Sequence, residues 1–116
     1  MRLDTFTRAY LECALWSSTD DNEEPLDGNY TERDISPELL ASAIADCAEF
    51  QRLAGDGIIE DLSRAGHDFW LTRNHHGAGF WDGEWEKRYG EELTRLARSF
   101  GECTLFDGLD GLIYSL

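Results

Sequence analysis

The spacing of apolar residues changes near the middle of the chain, and this change constrains the fold more than any other feature. In the first half, apolar side chains recur about every 3.6 residues, which predicts helices over 5–17 and 37–54. Ser36 is a favoured N-cap for the second helix, and Gly55 is a favoured residue at its end. A short helical turn follows, and we expect it to stop at Gly66.

Beyond that glycine the apolar period shortens to about two, which is typical of strands. Residues 67–73 are predicted to form one strand and residues 78–82 the returning strand of a hairpin. A helix is expected over 84–100, followed by two short strands at 103–106 and 112–115. The sequence therefore predicts an α+β fold, in which a helical N-terminal half packs on an antiparallel sheet of three to four strands that comes mainly from the C-terminal half.

The length of 116 residues is typical of a single domain, and we expect one domain over 1–116. Four Trp, four Tyr and six Phe are enough for a hydrophobic core and exclude a disordered acidic tail. No apolar run approaches the roughly 20 residues of a membrane helix, and the first residues lack the apolar stretch of a signal peptide. Three widely spaced cysteines favour buried thiols over a disulfide or zinc framework. These features predict a cytoplasmic protein without a cofactor.

Acidic residues outnumber basic ones by 24 to 10, which gives the chain a formal net charge of −14. A field of this sign repels phosphates and anionic membrane surfaces, and it attracts surfaces that are rich in lysine and arginine. We therefore expect a basic host protein or nucleoprotein complex as the partner, with no direct contact to nucleic acid and none to a membrane.

The charge is concentrated between residues 20 and 38, where Arg33 alone opposes eight acidic residues. Clustered like charges repel one another, so a basic partner that covers them relieves a cost in stability. The other interpretation is a solvated loop that aids solubility. The predicted contact residues of this segment are Asp20, Asp21, Glu23, Glu24, Asp27, Glu32 and Asp34, next to Glu38. The helices are expected to add Asp46, Glu49, Asp56, Glu60 and Asp61.

Carboxylates spread over a loop and a helix resemble the charge pattern of a nucleic acid. B-DNA carries one phosphate charge per about 1.7 Å of its axis. A protein that presents carboxylates at a similar density competes with DNA for a DNA-binding groove. The sequence alone leaves open whether these side chains share one face.

The predicted hairpin 67–82 places two tryptophans opposite each other. With the turn at Asn74–Gly77, Trp70 faces Trp81, and aromatic side chains of this kind serve either as core residues or as interface anchors. The tip would present Arg73, His75 and His76, which form either a recognition loop or an ordinary exposed turn.

Chemical motifs are incomplete in this sequence. His67, Asp68 and Asp82 are the best candidates for a metal site, because His67 and Asp82 would approach each other across the predicted hairpin. There is no P-loop, dinucleotide fingerprint or nucleophile elbow. We therefore expect a protein that is not an enzyme and that carries no catalytic residues.

Three segments carry a resemblance to a known family. They are CALWSSTDD at 13–21 with PLD at 25–27, AGHDFWLTRN at 65–74 continuing through GAGFWD at 77–82, and DGLIY at 110–114. This pattern resembles a family of small, uncharacterised proteins of tailed bacteriophages and prophages. The resemblance implies a phage origin and a place in the host cytoplasm during infection, and it implies no activity.

Charge and resemblance together favour one function over two others. The leading hypothesis is an acidic inhibitor of a host defence system, of the anti-CRISPR or anti-restriction type, which blocks a basic nucleic-acid-binding surface by DNA mimicry. The second is a phage adaptor or regulatory protein that binds a host protein through aromatic contacts. The third is a metal-dependent hydrolase that uses His67, Asp68 and Asp82.

Overall fold

In the described part of the chain, the regular structure consists of four α-helices, three short 3-10 helices and one small sheet. The computed structural model describes residues 3–20, 22–82 and 85–115. The helices are α1 (Thr5–Ser17), α2 (Pro37–Ala54), α3 (Leu62–Arg73) and α4 (Lys87–Ser99), and the strands are β1 (Leu105–Asp107) and β2 (Ile113–Ser115). The predicted α+β class is confirmed. Within the described residues the sheet has two strands, not the three to four that were predicted.

Local side-chain chemistry sets the ends of the first two helices. The Ser36 hydroxyl accepts a hydrogen bond from the Leu39 N–H at 3.1 Å, and Gly55 ends α2 with a φ of 58°. Both roles were predicted from the sequence. At the start of α1, the Asp4 carboxylate accepts the Thr7 N–H at 2.7 Å, so an acidic cap meets the positive end of the helix dipole.

Helices α1 and α3 cross at very close range, and Gly66 makes the crossing possible. A Cβ atom at this position would lie 2.1 Å from the carbonyl oxygen of Phe6 and 3.2 Å from the Cβ of Ala9. The prediction that Gly66 stops a helix was wrong, because this glycine lies inside α3. Its missing side chain lets the two backbones touch.

The predicted hairpin is also wrong, because residues 67–73 continue α3. Phe69, Trp70 and Leu71 are consecutive and all buried, as are the two residues that follow them. A helix that is buried nearly all round loses the 3.6-residue apolar period from which helices are recognised. Residues 78–82 form no strand, and the backbone N–H of Phe80 instead donates to the Thr72 hydroxyl at 3.1 Å, which folds the segment back onto α3.

The small sheet is attached to the start of α2. Strands β1 and β2 are antiparallel, with Phe106 opposite Tyr114, close to the positions predicted for the last two strands. Ile35 forms a parallel bridge with Ile113, and the Ser36 N–H donates to the Ile113 carbonyl at 2.8 Å. The acidic segment that precedes α2 therefore lies directly beside the sheet.

A single hydrophobic cluster contains residues from all four helices and both strands. Its centre is an aromatic stack. The centre of the Phe50 ring lies 4.3 Å from the centre of the Phe69 ring and 5.6 Å from that of the Phe80 ring. Among the helices in the described ranges, none is both long enough and apolar enough to cross a membrane.

Candidate functional site: an acidic face

The first part of the acidic segment is a closed turn built around Asp20. Its carboxylate accepts the backbone N–H groups of Asn22 at 2.8 Å and Glu24 at 3.0 Å. Thr19 pairs with Pro25 across the base of the turn, and Glu23 adopts a φ of 64°. Asp20 is therefore a structural residue that holds the turn, and its neighbours carry the exposed charge. Asp21 lies outside the described residues.

The second part is a 3-10 turn with a capping box. The Asp34 carboxylate accepts the Thr31 N–H at 2.9 Å, and the Thr31 hydroxyl accepts the Arg33 N–H at 3.3 Å. Glu32 is exposed and forms an ion pair with Arg8 of α1 at 3.2 Å. Asp34 thus fixes the conformation of the loop, whereas Glu32 links the surface of the loop to α1.

Tyr30 connects the acidic segment to the sheet. Its hydroxyl donates to the Asp107 carboxylate at 3.0 Å. This hydrogen bond, together with the negative charges of Asp107, Asp20 and Asp34, raises the pKa of Tyr30 above its usual value. Asp107 thus contacts a residue of the acidic segment, although 77 residues separate it from Tyr30 in the sequence.

A second tyrosine holds an acidic residue in the turn between the strands. The Tyr114 hydroxyl donates to the Asp110 carboxylate. The pKa of Tyr114 is raised by this bond and by the charges of Asp110 and Glu38, while the pKa of Asp110 is lowered by the Tyr114 hydroxyl and the Leu112 N–H. Asp110 is thus fixed within the turn by Tyr114 and the Leu112 N–H.

These contacts define an acidic face that joins the loop before α2 to the turn between the strands. Asp107 and Asp110 were not predicted as contact residues, and their only sequence signal is the turn motif DGLDG at 107–111. We call the described acidic residues of these two segments the acidic face: Asp20, Glu23, Glu24, Asp27, Glu32 (paired with Arg8), Asp34, Glu38, Asp107 and Asp110.

Three of the acidic residues predicted on the helices have partners of their own. Asp46 lies 2.9 Å from the buried guanidinium of Arg73, and Glu49 pairs with Arg52. Asp61 caps α3 by accepting the Arg64 N–H at 3.0 Å. Asp56 and Glu60 are exposed, but they lie beyond the far end of the 18-residue helix α2, about 27 Å from its start by the helical rise per residue. These residues do not extend the acidic face.

Arg73 was predicted at an exposed tip, and the structure corrects this prediction. Its side chain is 5% exposed. The guanidinium donates to the carbonyls of Gly101 at 2.8 Å and Phe100 at 3.1 Å, and to the Tyr10 hydroxyl at 3.0 Å. Arg73 therefore caps the C-terminal end of α4 from inside the protein, where cations are favoured.

The two tryptophans expected to face each other lie in different environments. Trp70 is buried, and its indole N–H donates to the Ser17 hydroxyl at 2.7 Å, so it is a core residue. Trp81 is 48% exposed and can contact a partner. His75 and His76 are exposed after the end of α3, where His75 has a φ of 58° and lies 3.8 Å from Glu102.

The weak metal candidates are not brought together. The His67 ring lies 5.8 Å from that of Trp16, and the buried Asp68 carboxylate accepts the Trp85 indole N–H at 2.6 Å. The Asp82 carboxylate lies 3.4 Å from the Gly79 N–H. Within residues 3–20, 22–82 and 85–115, no group of three or more His, Cys, Asp or Glu side chains is placed to hold a metal ion.

Comparisons with protein-family models, with curated proteins and with solved structures found no match to this chain. The resemblance to phage proteins therefore stays a prediction.

The thiols give a prediction about reactivity. Burial, with a contribution from Asp68, raises the pKa of Cys13 to about 12, and burial raises the pKa of Cys47. Because the thiolate is the nucleophile, we expect Cys13 and Cys47 to react with a disulfide reagent at least about 100-fold more slowly than unfolded thiols. Absorbance at neutral pH, with and without urea, measures both rates. Equal rates for Cys13 or Cys47 in the two conditions would contradict the burial of that thiol.

Proposed function

We propose that this protein is a non-enzymatic inhibitor that places its acidic face on a basic, nucleic-acid-binding surface of another protein. The observation that carries the proposal is the hydrogen bond from Tyr30 to Asp107, which joins the acidic segment 20–38 to the turn between the strands beside the Ile35–Ile113 bridge. Acidic residues from 20–38 and from 107–110 thereby occupy neighbouring positions, although about 70 residues separate them.

The rigidity of the acidic face supports this proposal. Asp20 and Asp34 hold their turns by accepting backbone N–H groups, and the tyrosines fix Asp107 and Asp110. Carboxylates held in place lose little conformational freedom on binding, so more of the interaction energy appears as affinity. The net charge of −14 also speeds the encounter with a basic surface.

The proposed target follows from the resemblance to phage proteins. A phage gains from blocking host complexes that bind its nucleic acid, so we propose a CRISPR effector or a restriction enzyme as the partner. The acidic face would occupy the groove that otherwise holds the phosphate backbone, in the manner of a DNA mimic.

A second function, an adaptor bound through aromatic contacts, is favoured by the exposed tryptophans. Trp16 is 57% exposed and Trp81 is 48% exposed. Tryptophan is enriched among the residues that dominate interface energy. Binding of this kind depends little on salt, whereas binding through the acidic face weakens as salt is added.

A competition experiment tests the proposed function. We expect the protein to displace DNA or RNA from a CRISPR effector or a restriction enzyme at low salt. Glu23→Gln with Glu24→Gln should raise the required concentration by about tenfold, since each lost contact to a basic surface is worth roughly 0.5–1 kcal/mol. Fluorescence anisotropy of the labelled nucleic acid gives the displacing concentration for the original protein and for the double variant.

The chain offers a matched control for that pair. Glu91 and Glu92 are also adjacent and exposed, and they lie on α4, which packs against α2 and α3. Glu91→Gln with Glu92→Gln removes the same charge and should leave displacement within about twofold of the original. Equal losses for the two pairs would show that only net charge matters. No displacement from any tested effector would reject the inhibitor.

A further inference from the structure

A second concave site lies at the other end of α2, away from the acidic face. It is a cavity of about 340 Å³ between the Gly57 turn and the beginning of α4. This size is within the range of small-molecule pockets, which begins at about 300 Å³. The side chains of Trp85 and Tyr89 form aromatic walls, and the carboxylates of Asp56, Glu60 and Glu86 lie at the cavity as well.

Contacts with two buried residues fix the position of Trp85. Its indole N–H donates to the carboxylate of Asp68 at 2.6 Å, and Asp68 is only 6% exposed. Its ring meets that of the buried Phe80 edge to face, with the ring centres 5.4 Å apart. Trp85 is nevertheless half-buried, so part of the indole is open to a ligand.

The second wall is held against a glycine. The Tyr89 ring packs on Gly57 so closely that a Cβ atom there would lie 3.2 Å from the ring carbon Cδ1. The guanidinium carbon of Arg88 lies 5.7 Å from the centre of the same ring. The ring therefore already attracts a cation within the protein, as expected from the negative potential over an aromatic face.

The charges at the cavity favour a cation. Asp56, Glu60 and Glu86 are exposed carboxylates at the cavity. Among the described basic side chains, Arg64 lies 3.7 Å from Asp61, and Arg88 lies against the Tyr89 ring, so four carboxylates face two arginines. Aromatic walls with nearby carboxylates are the usual site for ammonium groups that carry methyl groups, because the methyl groups contact the rings and the charge is retained.

We propose that this cavity binds a methylated ammonium cation, the chemistry shared by choline and by the side chain of trimethyllysine. The ammonium methyl groups would contact Trp85 and Tyr89, with Glu60, Asp56 and Glu86 balancing the charge. This site is independent of the proposed inhibitor function, because it lies at the opposite end of α2.

The test is a titration of the protein with choline, followed by the indole N–H signal of Trp85 in NMR spectra. Trp85→Phe identifies that signal. We expect saturable shifts with a dissociation constant on the order of 1 mM, and at least about tenfold weaker binding of 3,3-dimethyl-1-butanol, which has the same shape without the charge. A trimethyllysine peptide that binds more tightly than choline assigns the site to a protein ligand, and the reverse order assigns it to a small molecule.

Two variants and one control complete the test. Tyr89→Leu and Glu60→Gln should each weaken choline binding by about threefold or more, whereas Glu92→Gln removes the same charge outside the cavity and should leave it unchanged. Should Tyr89→Leu fail to fold, Glu60→Gln decides alone. Equal binding of the neutral alcohol, absence of saturable shifts, or unchanged affinity in Glu60→Gln would overturn the proposal.

Discussion

Replacement of Arg73 by methionine is expected to lower the free energy of unfolding by about 3–5 kcal/mol, because it removes a partly buried ion pair and three further hydrogen bonds of a buried guanidinium. The change leaves Asp46 without its cation and the carbonyls of Phe100 and Gly101 without a donor. Urea unfolding followed by circular dichroism measures the loss. A cost of this size can consume much of the total stability of a small domain.

Arg52 provides the control for that experiment. It pairs with Glu49 on the surface of α2, and its side chain is 68% exposed. Because exposed ion pairs contribute at most about 1 kcal/mol, Arg52→Met should change the free energy of unfolding very little. A similar cost for the two arginines would contradict the capping role of Arg73 in the interior.

Gly66→Ala is expected to destabilise the protein by about 2 kcal/mol. The added methyl group would lie 2.1 Å from the backbone oxygen of Phe6, so α1 must move away from α3. Overpacking costs about 1–3 kcal/mol or more, and the higher helix propensity of alanine returns about 1 kcal/mol of it. Chemical denaturation gives the net value.

Gly28→Ala is the control, because it makes the same substitution away from the crossing of α1 and α3. No atom lies within 4 Å of a Cβ at that position, which is exposed in the loop before α2. Gly28→Ala should therefore change stability by less than about 1 kcal/mol. If Gly66→Ala proved as stable as Gly28→Ala, the close packing of α1 on α3 would be incorrect.

The first helices could be predicted because their signals are local. Ser36 and Gly55 act through hydrogen bonds and backbone angles that the neighbouring residues determine. Helix α3 was not predicted, because it is buried on nearly every side. Phe69, Trp70 and Leu71 therefore form an apolar run without a helical period. Tertiary packing, and not local preference, decides its structure.

The acidic face shows the same division between local and distant information. The charge cluster at 20–38 is visible in the sequence, but its extension to Asp107 and Asp110 depends on the bridge between Ile35 and Ile113. Arg73 was predicted at a surface because the hairpin placed it at a turn. Only the fold provides the carbonyls and the carboxylate that allow this charged residue to be buried.

The most direct test of the acidic face is a measurement of surface potential at each backbone amide. The NMR relaxation enhancement by a cationic nitroxide is divided by that from a neutral nitroxide of the same shape. This ratio separates the effect of local charge from the effect of solvent exposure. We expect the largest ratios at residues 20–38 and 105–115, and smaller ratios along α4. Equal ratios over the whole surface would contradict the account, because no region would then be distinguished as the place where a basic partner binds.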